Sequence, residues 1–243
     1  MHHLVVDEWS RRPGWLQQRD PRAKLVVLLT YLVCVSTMRE LTPPALVALT
    51  VPLAAGLVLG KLPVSGVAAR AMLVLPFAGP VALAAWLGGR PAQGLSLLVR
   101  AFLSAAAVLV VAGATPMPLL LRGLEGLGAP SFLVLVVQFL HRYLFVLSEQ
   151  AQHMRLAALS RGAGHGRARR RRALWRAAGG ALAVLFARSH ARAAAIHRAM
   201  LARGYRSAIP SLAHMKMGVP DWWLAAAGVI LIAGLRTVLA LGS

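Results

Sequence analysis

Acidic side chains are scarce in this chain: seven Asp and Glu stand against 27 Lys and Arg in 243 residues. The seven are Asp7, Glu8, Asp20, Glu40, Glu125, Glu149 and Asp221, so residues 150–220 hold none. Cysteine is scarcer still. Cys34 is the single copy, which excludes an internal disulfide and any cysteine-based metal spacing. Charged residues of both signs make up 14% of the chain, against about 25% in soluble globular domains. The sequence offers no HExxH, no Ser/His/Asp constellation and no paired carboxylates within an apolar run, so no catalysis by this chain is expected. The nearest approach to a phosphate loop, Gly56-x-x-x-Gly60-Lys61-Leu62, has the wrong spacing, lacks Ser or Thr and closes an apolar run.

Apolar residues are what the chain has instead, at 58%. A bilayer crossing takes about 20 mostly apolar residues. Five stretches fit, at roughly 22–38, 44–60, 71–88, 96–114 and 221–241. The first two are short, so flanking polar groups must snorkel or the bilayer must thin. Gly56 and Gly60 form a small-xxx-small pair suited to close helix contact. Cys34 reads as a small buried or lipid-facing residue. The basic leader also carries Asp7, Glu8 and Asp20, which favours a retained first helix over a signal peptide. Lys and Arg collect before the first span, between the second and third, and above all between the fourth and fifth. The positive-inside rule then sets the N-terminus in the cytoplasm and the C-terminus outside.

Residues 115–220 are accordingly expected at the cytoplasmic face, as long helices and not as a linker. Pro130-Ser131 opens a stretch free of Gly and Pro until Gly162, enough for a helix of roughly 45 Å. Its first half is uniformly apolar, and its second half is amphipathic. The competing reading makes 130–147 a sixth span. A polar, Gly-rich connection, 162–172, leads to a second helix over about 173–203, with a bend expected at Gly179-Gly180. The two helices end alike: Ala157-Ala158-Leu159-Ser160-Arg161-Gly162 and Ala199-Met200-Leu201-Ala202-Arg203-Gly204. Gly beyond the last turn takes the left-handed conformation that closes a helix, and Arg suits the negative end of its dipole. One such ending is commonplace. Two, with matching Ala and Leu, read as equivalent plugs for two copies of one partner, an arrangement that suits a homodimeric motor.

The chain resembles the transmembrane T component of energy-coupling factor (ECF) transporters, specifically the CbiQ-type subunit of cobalt and nickel importers. The likeness rests on Asp20-Pro21-Arg22-Ala23-Lys24-Leu25 at the first span, on His141-Arg142-Tyr143-Leu144-Phe145-Val146-Leu147-Ser148-Glu149, and on the two Arg-Gly helix ends. It implies an all-helical bacterial inner-membrane protein: an N-terminal membrane domain of four spans (1–114), a cytoplasmic coupling-helix region (115–220) and a C-terminal span (221–243). By the same resemblance Arg161 and Arg203, with Ser160, Gly162, Ala202 and Gly204 around them, dock into two ABC-type ATPase subunits. The long helices then pass ATPase closure to a CbiM-like substrate-binding membrane subunit, with a small accessory membrane subunit as a further partner. ATP and Mg²⁺ belong to the ATPases, and this chain holds no cofactor. Where the family has Ala-Arg-Gly in its first motif, this chain has Ser160-Arg161-Gly162, and a hydroxyl is small enough to keep the contact.

The remaining polar residues point to structure and surface. His2 and His3 resemble a square-planar Cu(II) or Ni(II) terminus, but the bland alternative of a solvated end or cloning remnant outweighs it. His141, His153, His190 and His197 lie among arginines, which disfavour a bound cation, so no metal site is expected. Asp20 is expected to cap the first helix with Pro21 at its first position. Glu149 is expected to pair with Arg142, Arg155 or His153. The Arg169–Arg172 run suits anionic lipid at the inner leaflet and enforces orientation; nucleic acid is not an expected partner. Two rival functions remain: a stand-alone secondary transporter or channel, which needs mid-membrane ionisable groups, and a scaffold that binds only anionic lipid.

Overall fold

The computed structural model describes residues 9–10, 14–38, 43–161, 169–205 and 217–241. His2, His3 and Gly162 lie outside the described residues, as do Asp7, Glu8 and the Arg39-Glu40 pair. All regular structure among the described residues is helical. The longer elements are α1 (Pro21–Thr37), α2 (Pro43–Leu59), α3 (Val64–Ala71), α4 (Leu75–Leu87), α5 (Pro91–Gly113), α6 (Met117–Gly126), α7 (Ser131–Ser160), α8 (Arg169–Ala202) and α9 (Val219–Leu241). A 3₁₀ turn, Met72–Val74, joins α3 to α4 without a break, so Val64–Leu87 forms one rod of 24 residues.

Among the described residues three helices are long and apolar enough to cross a membrane: Val64–Leu87, Pro91–Gly113 and Ser131–Ser160. Pro44–Leu59 and Val219–Ile232 are shorter apolar helices. Large side chains stand bare along these rods, with Phe77 83%, Leu87 80% and Val58 75% exposed. Such surface is stable only against an apolar solvent, and the chain is a membrane protein.

Two compact units divide the chain, one of residues 1–129 with 214–243, the other of residues 130–213. The short helix α6 therefore falls with the first unit and not with the long helices that follow it. It is held there by close packing: a Cβ on Gly123 would come within 3.0 Å of Pro21 Cβ and 3.1 Å of Leu25 Cδ1.

Within the first unit α5 is central. Its buried Ala106 and Val110 pack with Leu16, Leu62, Val67 and Ala71. Its Leu103 and Ala107 pack with Tyr31, Cys34, Leu49 and Ile232. Small residues at these crossings let helices approach closely, which is how helices associate where no hydrophobic drive separates protein from solvent. Gly56 meets Val110 in this way, since a Cβ there would sit 3.0 Å from Val110 Cγ1. Gly60, its partner in the small-xxx-small pair, lies in the turn after α2, where its carbonyl accepts from Gln17 Nε2 at 2.8 Å. Cys34 is buried, its thiol directed at the Ile232 carbonyl at 3.9 Å.

A polar knot ties the ends of three segments. Asp20 caps α1, its carboxylate accepting from Arg22 N at 2.8 Å with Pro21 in the first turn. The Asp20 N–H donates to Asp221 Oδ1 at 3.1 Å, and Gly218 N–H donates to Asp221 Oδ2 at 3.0 Å. Lys24, 3% exposed, donates to Ala114 O at 3.3 Å and Thr115 Oγ1 at 3.0 Å. Both carboxylates act electrostatically on its ammonium. Buried charge is tolerated only with such compensation.

Two outcomes follow from this packing. Gly94→Ala would place a Cβ 2.6 Å from the Ala82 carbonyl oxygen, on backbone that cannot give way. It is expected to cost about 1–3 kcal/mol and lower the unfolding midpoint in detergent, whereas Gly79→Ala, which meets open space, leaves the midpoint unchanged or raised. Asp221→Ala strands two backbone N–H groups and should cost about 1–3 kcal/mol, while Glu125→Ala, on an exposed position, stays within about 0.5 kcal/mol. Equal midpoints for the last two would show that the Asp221 carboxylate holds nothing.

Candidate coupling site

The second unit consists of α7 and α8. Val134 is its single buried hydrophobic among the described residues, so it has almost no core of its own. The two helices meet along one stripe each. Leu135, Phe139, Tyr143 and Leu147 of α7 and Arg192, Ile196, His197 and Met200 of α8 line an apolar groove of about 410 Å³. Outside the groove the faces stay bare, including Phe132, Trp175 and Phe186, each about 70% exposed.

Of the HRYLF stretch, Tyr143 alone lines this groove. Phe139 and Tyr143 stack with centroids 6.1 Å apart, His141 meets the Phe145 ring edge-on at 5.3 Å, and the Arg142 guanidinium lies 6.0 Å from the Tyr143 centroid. These are i to i+4 neighbours or adjacent residues on one helix; the Phe139–Tyr143 and His141–Phe145 pairs are offset by two residues and so lie on opposite faces of α7. Glu149 does not behave as expected. It is exposed and forms no ion pair with Arg142, Arg155 or His153; ordering two long side chains in water gains little over leaving them solvated.

Both helix tips are described in part. The α8 end is a Schellman closure: Tyr205 N–H donates to Met200 O at 3.0 Å, Gly204 N–H donates to Leu201 O at 3.0 Å, and Gly204 sits at φ +80. Tyr205 and Met200 both line the groove, so the closure is pinned by packing. Arg203 is the cap residue, and its side chain is exposed. Arg161 caps α7 and is exposed as well. Ser160 turns its hydroxyl back on its own helix, donating to Ala157 O at 3.0 Å, and leaves the arginine alone. Neither guanidinium is hydrogen-bonded or ion-paired to a described residue. The geometry of Gly162 falls outside the described residues. Along the helices, Arg161 lies about 30 Å from the middle of the groove and Arg203 about 12 Å.

Two expectations for α8 change. The helix begins at Arg169, so Arg169–Arg172 form its first turn and not part of a connecting loop. Four cations at the positive end of a helix dipole are locally unfavourable, and an Ala-rich helix propagates strongly enough to override this. Nor do Gly179 and Gly180 interrupt it: α8 runs unbroken to Ala202. Nothing approaches either glycine within 4 Å, so no packing force acts to bend the rod there.

The first-span motif belongs to the polar knot and not to this surface. Asp20, Pro21 and Lys24 hold the membrane unit together, and the Arg22 guanidinium lies across α6 at Gly126. Sequence reasoning did not single out Thr115 or the tie from Asp221. The available signal was that Asp221 is the single acid beyond Glu149, placed just before an apolar run. No group of three His, Cys, Asp or Glu is placed to hold a metal among the described residues.

Comparison with curated proteins gave no match. A family model gave one, over residues 13–215, which takes in Asp20, Lys24 and Thr115 of the polar knot, the aromatic pairs of α7 and both arginine-tipped helix ends, but not Gly218 or Asp221. The chain is a membrane component of cobalt transport and belongs to the CbiQ family of cobalt transport proteins.

Proposed function

We propose that the chain is the T component of an ECF-type importer for cobalt or nickel, transmitting motion from a pair of ABC-type ATPase subunits to a CbiM-like substrate-binding membrane subunit. The observation that carries this reading is the pair of exposed, cap-position arginines, Arg161 and Arg203, on two long helices that share one groove. A guanidinium with no partner among the described residues is available for a planar, bidentate contact with carboxylates on another chain. ATP and Mg²⁺ reside on the ATPases, and the chemistry is theirs. The anionic-lipid scaffold is the lesser reading, since it leaves the matching helix ends without a role.

This reading sets the protein in a bacterial inner membrane, N-terminus inside, with five spans: α1, α2, the α3–α4 rod, α5 and α9. The long helix α7 is apolar enough to span, but it crosses α8 over residues 135–147. With its many arginines and no acid, α8 cannot enter hydrocarbon. On this reading that part of α7 lies at the inner face, and the bare apolar stripe of both helices meets the partner membrane subunit.

Charge reversal at both tips, Arg161→Glu with Arg203→Glu, is expected to abolish copurification of the ATPases while membrane insertion and the α7–α8 groove persist. Each single change should weaken recovery by at least tenfold, as loss of a charge-paired contact costing about 2 kcal/mol or more implies. Gly204→Val strains a left-handed position and should weaken the Arg203 contact alone. Undiminished recovery of ATPases with the double variant sinks the docking account.

A further inference from the structure

A second cavity lies within the membrane unit, in a cleft of about 560 Å³ between α1, α2, α5 and α9. Its lining runs from the end of the bundle where α1 and α9 begin and α2 and α5 finish, with Trp15 and Trp223 there, to Tyr31, Leu53 and Ile232. The tryptophan end, where Trp15 and Trp223 are exposed, is taken as the mouth. From Pro220 to Ile232 is about 18 Å of helix, close to half the roughly 30 Å thickness of bilayer hydrocarbon. A neighbouring transmembrane helix would need a groove running the whole thickness. A cleft one leaflet deep, apolar within and ringed by tryptophan at the interface, has the dimensions of a lipid acyl chain.

The charges at the mouth select the headgroup. Arg19 stacks its guanidinium 4.2 Å over the Trp15 ring, and its Nε is shut off from water with no acceptor. Lys24, in the wall of the cleft, uses two of its three N–H donors on Ala114 and Thr115. Arg22 and Lys61 stand at the same end. The two carboxylates present, Asp20 and Asp221, are engaged by backbone N–H groups. Donors therefore exceed acceptors at the mouth of an apolar slot.

We propose that this cleft holds one anionic phospholipid, an acyl chain lying in the space bounded by α1, α2, α5 and α9 and the phosphate received by Arg19, with the remaining Lys24 N–H open to a lipid oxygen. The lipid completes the packing of α9 against α1 and α2, and the site is separate from the α7–α8 surface.

The test uses the full chain in nanodiscs of equal phosphatidylglycerol and phosphatidylcholine, extracted gently and weighed intact by native mass spectrometry. The wild-type protein should retain one phosphatidylglycerol. Arg19→Gln should reduce the preference for phosphatidylglycerol about fivefold, the effect of one cation near an anionic surface. Ala227→Phe, which fills the cleft from α9, should lower retention of either lipid about tenfold, and Ala55→Phe should do the same from α2 should the first variant fail to fold. Val81→Phe, on an exposed face elsewhere, should change nothing. Equal retention of both headgroups by the wild-type protein would overturn the proposal, as would unchanged retention in the filled variants. So would a photoreactive acyl chain labelling a different face, or a partner's transmembrane segment, and not the lipid, cross-linking to Ala227.

Discussion

A single buried ammonium organises the membrane unit. Lys24 sits one turn inside the first helix, almost wholly out of water, and is satisfied by a carbonyl at the end of α5 and the hydroxyl of Thr115. The adjoining carboxylates of Asp20 and Asp221 fix the starts of α1 and α9 against each other. Charge buried this far is stable only while every partner stays in place, so the knot couples segments that lie far apart in sequence. Apolar packing between helices in lipid carries little directional information. The polar knot supplies it, setting which ends meet and in what register.

The two units divide the work along a physical line. The first is shaped by lipid: its interior combines alanine and glycine at helix crossings with buried leucines, Tyr31 and Ile232, and many further large side chains face outward. The second has almost no interior, a bare apolar stripe and an arginine at each helix end. Two helices of this kind gain little stability from each other and expose a great deal of surface. Long rigid helices with cations at their ends are suited to carrying displacement, because a helix moves as a body when its tip is pulled.

Much of this was legible in the sequence because it rests on local rules. Pro21 after Asp20 signals a capped helix start, and the carboxylate is found accepting from Arg22 N. Gly204 after Arg203 signals a left-handed closure, and φ is +80 there. The long uninterrupted stretch after Pro130 gives α7 almost to the residue. What stayed hidden is non-local. Lys24 and Thr115 are 91 residues apart and Asp20 and Asp221 are 201 apart, and no periodicity links them. Where local signals conflicted, the stronger propensity won: the Arg169–Arg172 run and Gly179-Gly180 both look like breaks, yet the surrounding alanines carry α8 through them. Glu149 shows the opposite limit, where suitable spacing on a wet surface produced no ion pair.

The most direct measurement of the central claim is thiol cross-linking at the two tips. Cys34 is buried, so thiols introduced by Ser160→Cys and Ala202→Cys, each beside its arginine, report without background. In the assembled transporter each should capture an ATPase chain through a short cross-linker, and a protein carrying both should capture two at once. Capture of lipid or of the protein's own chain from either position, with no ATPase joined, contradicts the account.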